Sequence, residues 1–237
     1  MIDLSKFGDG VTAQLYDDMP AVAQAAAAQI LKMATDSISA RGAFHLVLAG
    51  GTTPKLTYQL LVGADTDWKR WHIYYGDERC LPVDDPERNS VMVQQAWLDH
   101  VTIPPKQIHP ISAELGAEEG ARAYLVVIEK IDQFDLVLLG MGEDGHTASL
   151  FPGQSHDELE RVHAVHNAPK PPSERISLSC SSLINTRQLL LLVTGKSKQE
   201  TLKKWAAGEP LPVAFIKLDC GVDLFLDKEA AGIVELA

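Results

Sequence analysis

Residues 44–54, Phe-His-Leu-Val-Leu-Ala-Gly-Gly-Thr-Thr-Pro, set the fold class. A short, mostly apolar run ends in two glycines, two threonines and a proline, which is the pattern of a buried strand turning tightly into a helix. Pro54 suits the first helical position, where a missing N–H is no loss, so Thr53 is read as the N-cap and 54–61 as the helix. Upstream, Met19 to Ala40 is rich in alanine, with Pro20 in the first turn and Gly42 just past the end, and is read as a helix. Downstream, short apolar runs recur at 72–75, 134–139, 175–179, 189–193 and 222–225, separated by helical patterns at 89–98, 116–131 and 196–206. Strands that alternate with helices and lack period-two polarity predict an α/β protein with a doubly wound, mostly parallel sheet and helices on both faces. Arg175 to Ser179 does alternate, so it is expected at an edge or with one wet face.

Four of these strands run into polar, glycine-containing segments: Gly50 to Pro54, Gly76 to Arg79, Gly140 to Ser149 and Thr194 to Lys198. Segments leaving the carboxyl ends of parallel strands share one edge, where ligands bind, so the four are expected to meet in one cleft. Gly50, Gly51, Thr52 and Thr53 combine close backbone approach, two hydroxyls and a helix N-terminus, which suits a phosphate; an ordinary strand-to-helix turn is the bland alternative. Gly140-Met-Gly-Glu-Asp-Gly145 matches G-x-G-x-x-G, but Glu143 and Asp144 would lie against a pyrophosphate and Phe151-Pro152-Gly153 cuts the following helix short, so a dinucleotide site is rejected. In the same loop His146 is a candidate general base and Asp144 a candidate partner for its ring. Arg79 can act as a bidentate anion ligand or sit in a surface salt-bridge turn, and Arg175 and Lys198 are the other cations the topology can bring to this edge. His163 and His166 are expected to be exposed polar residues and not metal ligands, and no metal site is expected anywhere.

Composition bounds the rest. The 237 residues are 46% hydrophobic and 22% charged, with a formal net charge of −11 and no basic stripe, which argues against nucleic-acid and membrane-surface partners. No repeat or linker divides the chain, so 1–237 is expected to be a single domain. No apolar span or leader pattern is read, and Cys80, Cys180 and Cys220 lie at wide spacing, so a cytoplasmic protein with reduced thiols is expected.

The motifs taken jointly and in this order resemble the 6-phosphogluconolactonases: Leu48 to Pro54, Trp71 to Arg79, Asn89, Phe134 to Pro152, Glu174 to Leu178 and Gly195 to Lys198. The resemblance implies a Rossmann-like fold related to glucosamine-6-phosphate deaminases. It further implies hydrolysis of a phosphorylated sugar lactone, 6-phospho-D-glucono-1,5-lactone, in the oxidative pentose phosphate pathway, without a metal or organic cofactor. By the same resemblance His146 activates water with help from Asp144, while the Gly50 to Pro54 loop, Arg79, Asn89, Arg175 and Lys198 handle the phosphate and the developing oxyanion. Arg88 departs from the serine expected before Asn89, which leaves its role open. A glucosamine-6-phosphate isomerase/deaminase is the nearest alternative, but such enzymes are expected to continue Asp-Gly-His with an apolar-Ala-Phe-Asn segment where Thr147 to Pro152 stands here. A non-catalytic sugar-phosphate sensor is the other alternative, disfavoured by the retained Asp144 and His146.

Overall fold

A computed structural model describes residues 3–8, 10–155, 159–216 and 221–233; Cys220 lies outside them. Six parallel strands form the main sheet in the order β1 (Val11–Tyr16), β9 (Val222–Asp227), β8 (Leu189–Val193), β5 (Leu136–Gly140), β2 (Phe44–Leu48) and β3 (Trp71–Tyr75). A second, antiparallel sheet has the order β4 (Asp77–Arg79), β7 (Arg175–Leu178) and β6 (Val162–Val165). The helices are α1 (Met19–Arg41), α2 (Thr52–Leu61), α3 (Asn89–Ala96), α4 (Ala117–Ile128), α5 (Cys180–Ile184), α6 (Gln199–Ala206), α7 (Pro212–Phe215) and α8 (Lys228–Ala231).

The strand order places the switch point between β2 and β5. From β2 the chain moves outward to β3, whereas from β5 it moves the other way through β8 and β9, so the loops after β2 and β5 part and leave a crevice at their carboxyl ends. Helix α1 starts under an Asp18 cap, whose carboxylate accepts from Ala21 N at 2.9 Å, and stops at Gly42, whose φ of 80° ends the helix in the left-handed region. The central strands β5 and β8 are buried almost throughout, as their uninterrupted apolar sequence requires.

Several expectations are corrected. The 175–179 run is the middle strand of the small sheet, and all four residues of β7 are buried. Its alternation has another cause: Ile176 packs under Gly120 of α4, while the polar side is buried in a network in which Ser177 Oγ accepts from Ser149 N at 3.2 Å. Asp77 to Arg79, expected as a loop, is strand β4, and β1 escaped the sequence reading because an edge strand with mixed burial lacks an apolar run. Helix α2 begins at Thr52 with Gly51 as its cap residue, so Thr53 is not the N-cap. The helical pattern at 196–206 divides into a 3-10 turn over 196–198 and α6. His163 is buried and bonded to Glu160 Oε2 at 3.0 Å, contrary to expectation, whereas His166 is exposed between Glu118 and Glu174.

Cys80 is a free thiol, and burial, with Glu174 and Glu78 nearby, pushes it up to about 11. No helix among the described residues is long and apolar enough to cross a membrane.

Candidate active site

At the switch point lies a cleft of about 480 Å³. All four of the segments picked out above reach it: Gly50 and Gly51 after β2, Asp77 and Arg79 in β4, Gly140 to Gly142 with His146 and Ala148 after β5, and Lys198 after β8. Asn89, Lys170, Pro171 and Arg175 complete its wall.

The loop after β5 is built around one imidazole. Gly142 N donates to His146 O at 2.8 Å and Thr147 Oγ1 to Gly140 O at 2.8 Å, which curls the loop back on its own strand. Asp144 Oδ1 then meets both His146 Nδ1, at 2.5 Å, and His146 N, at 3.3 Å. Gly142 must lack a side chain, because a Cβ there would overlap the His146 ring and the Asp144 carboxylate. Burial pushes the imidazole below its ordinary range, partly offset by the hydrogen bond and charge of Asp144. For Asp144, burial works in the opposite sense but is outweighed by His146, so its carboxyl lies below the usual value. The result is an ionised carboxylate facing a neutral ring near pH 7. The carboxylate accepts a hydrogen bond from Nδ1–H, so the neutral ring carries its lone pair on Nε2.

The polar residues of β4 hold the opposite wall. Asp77, buried, accepts from Ser149 Oγ at 2.6 Å and from Asn89 Nδ2 at 3.1 Å, tying β4 to the end of the histidine loop and to α3. Glu78 caps α3 from another element: its two carboxylate oxygens accept from Asn89 N and Ser90 N, each at 2.8 Å. Arg88 resolves into a structural role, since its buried guanidinium donates to Ile111 O at 2.8 Å and Glu114 Oε2 at 3.0 Å and lies 3.6 Å from Glu78 Oε2. Asn89 also explains Gly50, where a Cβ would overlap the Asn89 amide. Arg79 is anchored to Glu87 O at 2.5 Å and borders the cleft.

Arg175 and Lys198 arrive from two sheets. Arg175 Nε donates to Pro172 O at 3.0 Å, and Nη2 donates to Pro171 O at 2.9 Å and Lys170 O at 3.3 Å, so one guanidinium organises the segment that carries Lys170. Lys198 follows a turn whose Gly195 N donates to both Asp227 oxygens at 3.0 Å, and burial lowers its ammonium below the ordinary value. Thr53 Oγ1 is engaged with Thr194 Oγ1 at 2.6 Å and links the loops after β2 and β8; Thr52 is exposed, and neither hydroxyl lines the cleft. The start of α2 still faces it through Gly50 and Gly51, and no side chain caps that helix. Among the described residues no group of three or more His, Cys, Asp or Glu side chains is placed to hold a metal ion.

A carboxylate–imidazole pair facing four cations at a strand-end crevice narrows the comparison with known proteins. The profile of the family described as glucosamine-6-phosphate isomerases/6-phosphogluconolactonase matches residues 17–224. This chain belongs to that family. It is 33% identical to the 6-phosphogluconolactonase of Mycobacterium leprae over 93% of this chain and 97% of the other. It is 36% identical to that of Haemophilus influenzae over 80% and 87%. The crystal structure of the Thermotoga maritima 6-phosphogluconolactonase superposes with a TM-score of 0.86 at 27% identity, covering 92% of this chain and 100% of that one. A monomeric glucosamine-6-phosphate deaminase shares the fold, with a TM-score of 0.80 at 24% identity over 94% and 100%.

Within this family frame, the sequence reading missed Lys170 and the bridging roles of Asp77 and Ser149. Lys170-Pro-Pro172 has no glycine and follows no strand of the main sheet, so strand-end logic could not find it. The signal available was a cation beside two prolines, just before a strand that begins with an arginine.

Proposed function

We propose that this chain hydrolyses 6-phospho-D-glucono-1,5-lactone to 6-phospho-D-gluconate, the lactone-opening step of the oxidative pentose phosphate pathway, as a single-domain cytoplasmic enzyme. The observation that carries this reading is His146, bonded to Asp144 and lining a cleft with Arg79, Lys170, Arg175 and Lys198. A net charge of −11 would repel a sugar phosphate everywhere else, so local cations are what such a substrate requires.

His146 Nε2 takes a proton from water as the water oxygen bonds to C1 of the lactone. Charge builds on the carbonyl oxygen, where the cations of the wall stabilise it. Collapse of this tetrahedral species breaks the bond from C1 to the ring oxygen, and the imidazolium returns its proton to that oxygen. Asp144 holds the ring tautomer throughout. The phosphate lies against the remaining cations and the amides at the start of α2.

The direct test adds freshly prepared 6-phosphogluconolactone and follows acid release against spontaneous hydrolysis. Acceleration supports the lactonase. No acceleration, with retained binding of 6-phosphogluconate, leaves a sugar-phosphate sensor instead. Release of ammonia from glucosamine 6-phosphate would favour the deaminase reading.

Two further outcomes are expected. The base must be neutral to work, and burial has lowered its pKa, so kcat/KM should hold to more acidic pH than an exposed imidazole would allow and fall only as pH drops through that lowered value. A pH profile of kcat/KM with its acid limb at or above the ordinary imidazole value of about 6.5 contradicts this. Gly142→Ala should separate the Asp144–His146 pair and lower kcat by at least about tenfold, a loss near 1.4 kcal/mol of transition-state stabilisation, while binding of 6-phosphogluconate changes little. Kinetics and calorimetry on the same variant check both halves.

A further inference from the structure

One aromatic side chain touches both halves of the cleft. Phe151, 2% exposed, follows the histidine loop directly. Its ring centroid lies 4.6 Å from that of His146, with the planes inclined at 39°. The Arg175 guanidinium carbon lies 5.6 Å from the same centroid, in cation–π range. Phe151 is itself fixed from the small sheet, where it clusters with Val165 of β6 and Ala168.

We propose that Phe151 is a positioning residue whose ring holds the imidazole of His146 and seats the guanidinium of Arg175, so that base and cation keep a set spacing. This rests on His146 being the base. Asp144 grips the imidazole at a single atom, Nδ1, from two residues away, which leaves the ring free to tilt about that contact. A packed aromatic face removes that freedom. For Arg175, three carbonyl contacts at 170–172 engage Nε and Nη2, and the ring supports the plane of the group. The segment 170–172 thereby inherits its position from Phe151 through Arg175. The charges facing His146 are Asp144 in its own loop, Lys170 from the segment before β7 and Asp77 from β4. A change at residue 151 removes none of these three charges.

Phe151→Met keeps the side-chain volume close to the original and removes the ring, whereas Phe151→Tyr keeps the ring. In the full chain, Phe151→Met should lower kcat by about tenfold as the base loses its alignment. It should also move the acid limb of kcat/KM upward as water reaches the imidazole, and weaken inhibition by inorganic phosphate by about two- to fivefold as the cation–π contact is lost. Phe151→Tyr should restore the limb and the phosphate inhibition. A folded Phe151→Met protein with wild-type kcat, acid limb and phosphate inhibition overturns the proposal. Should that variant not fold, the wild-type chain supplies the same test by NMR. Phe151 ring-proton signals should move both with the titration of His146 and on phosphate addition, and signals indifferent to both overturn it. Failure of the base reading shows separately, as near wild-type turnover in His146→Ala.

Discussion

Replacement of His146 by alanine is expected to lower kcat by about 10²- to 10⁴-fold, the usual contribution of a positioned general base, while the fold and the affinity for 6-phosphogluconate stay close to wild type. The side chain sits in a loop at the edge of the sheet, and its ring makes contacts to Asp144 and Phe151, so little core packing is lost. Turnover of the phosphorylated lactone, thermal unfolding and product calorimetry together separate a chemical from a structural defect. Near wild-type turnover removes His146 from the mechanism. Asp144→Asn should also slow the reaction, because the amide carries no charge to favour the Nδ1–H tautomer. An unchanged rate in that variant reduces Asp144 to a residue that shapes the loop.

Removing the phosphate from the substrate should have the second large effect. On the proposed reading, the unphosphorylated lactone forfeits the phosphate's contacts to the cleft cations and to the amides at the start of α2, and hydrogen bonds to charged groups are worth roughly 1.5–3 kcal/mol each. Lys198→Ala is therefore expected to weaken 6-phosphogluconate binding by about ten- to a hundredfold. Arg175→Ala should weaken it at least as much, since the three carbonyl contacts that hold the Lys170 segment vanish with the guanidinium. Calorimetry of product binding by the two variants, and turnover of the lactone with and without its phosphate, measure this. Equal affinities across the proteins, or equal turnover of the two lactones, would place the phosphate elsewhere.

The loops that form the cleft were legible because glycine, proline and a carboxylate–histidine pair are local signals. Gly50 and Gly142 stand where a side chain would strike Asn89 or the His146–Asp144 pair, and both were visible as glycines after apolar runs. Thr53 shows the limit of that reasoning. The hydroxyl suggested a cap or a phosphate donor, yet it meets Thr194, 141 positions further along the chain. Nothing in the residues around 53 encodes that encounter.

What the sequence determined by itself is the set of elements and their class. Apolar runs too continuous for a wet sheet face must be buried on both sides, which requires parallel strands covered by helices, and the glycine-rich segments must then lie at the strand ends. What only the tertiary structure decided is which polar side chains face the cleft and which are consumed in building it. Arg88, whose role the sequence left open, Glu78 and the Thr53 hydroxyl are buried and bonded to partners 26, 11 and 141 positions away, while Asp77 lines the cleft and also accepts from Ser149, 72 positions on. Arg175, in a strand that alternates like an edge, became the central organiser of the Lys170 segment. Burial of a polar group demands a partner, and that partner is chosen by packing at long range, so no local pattern of residues can announce it.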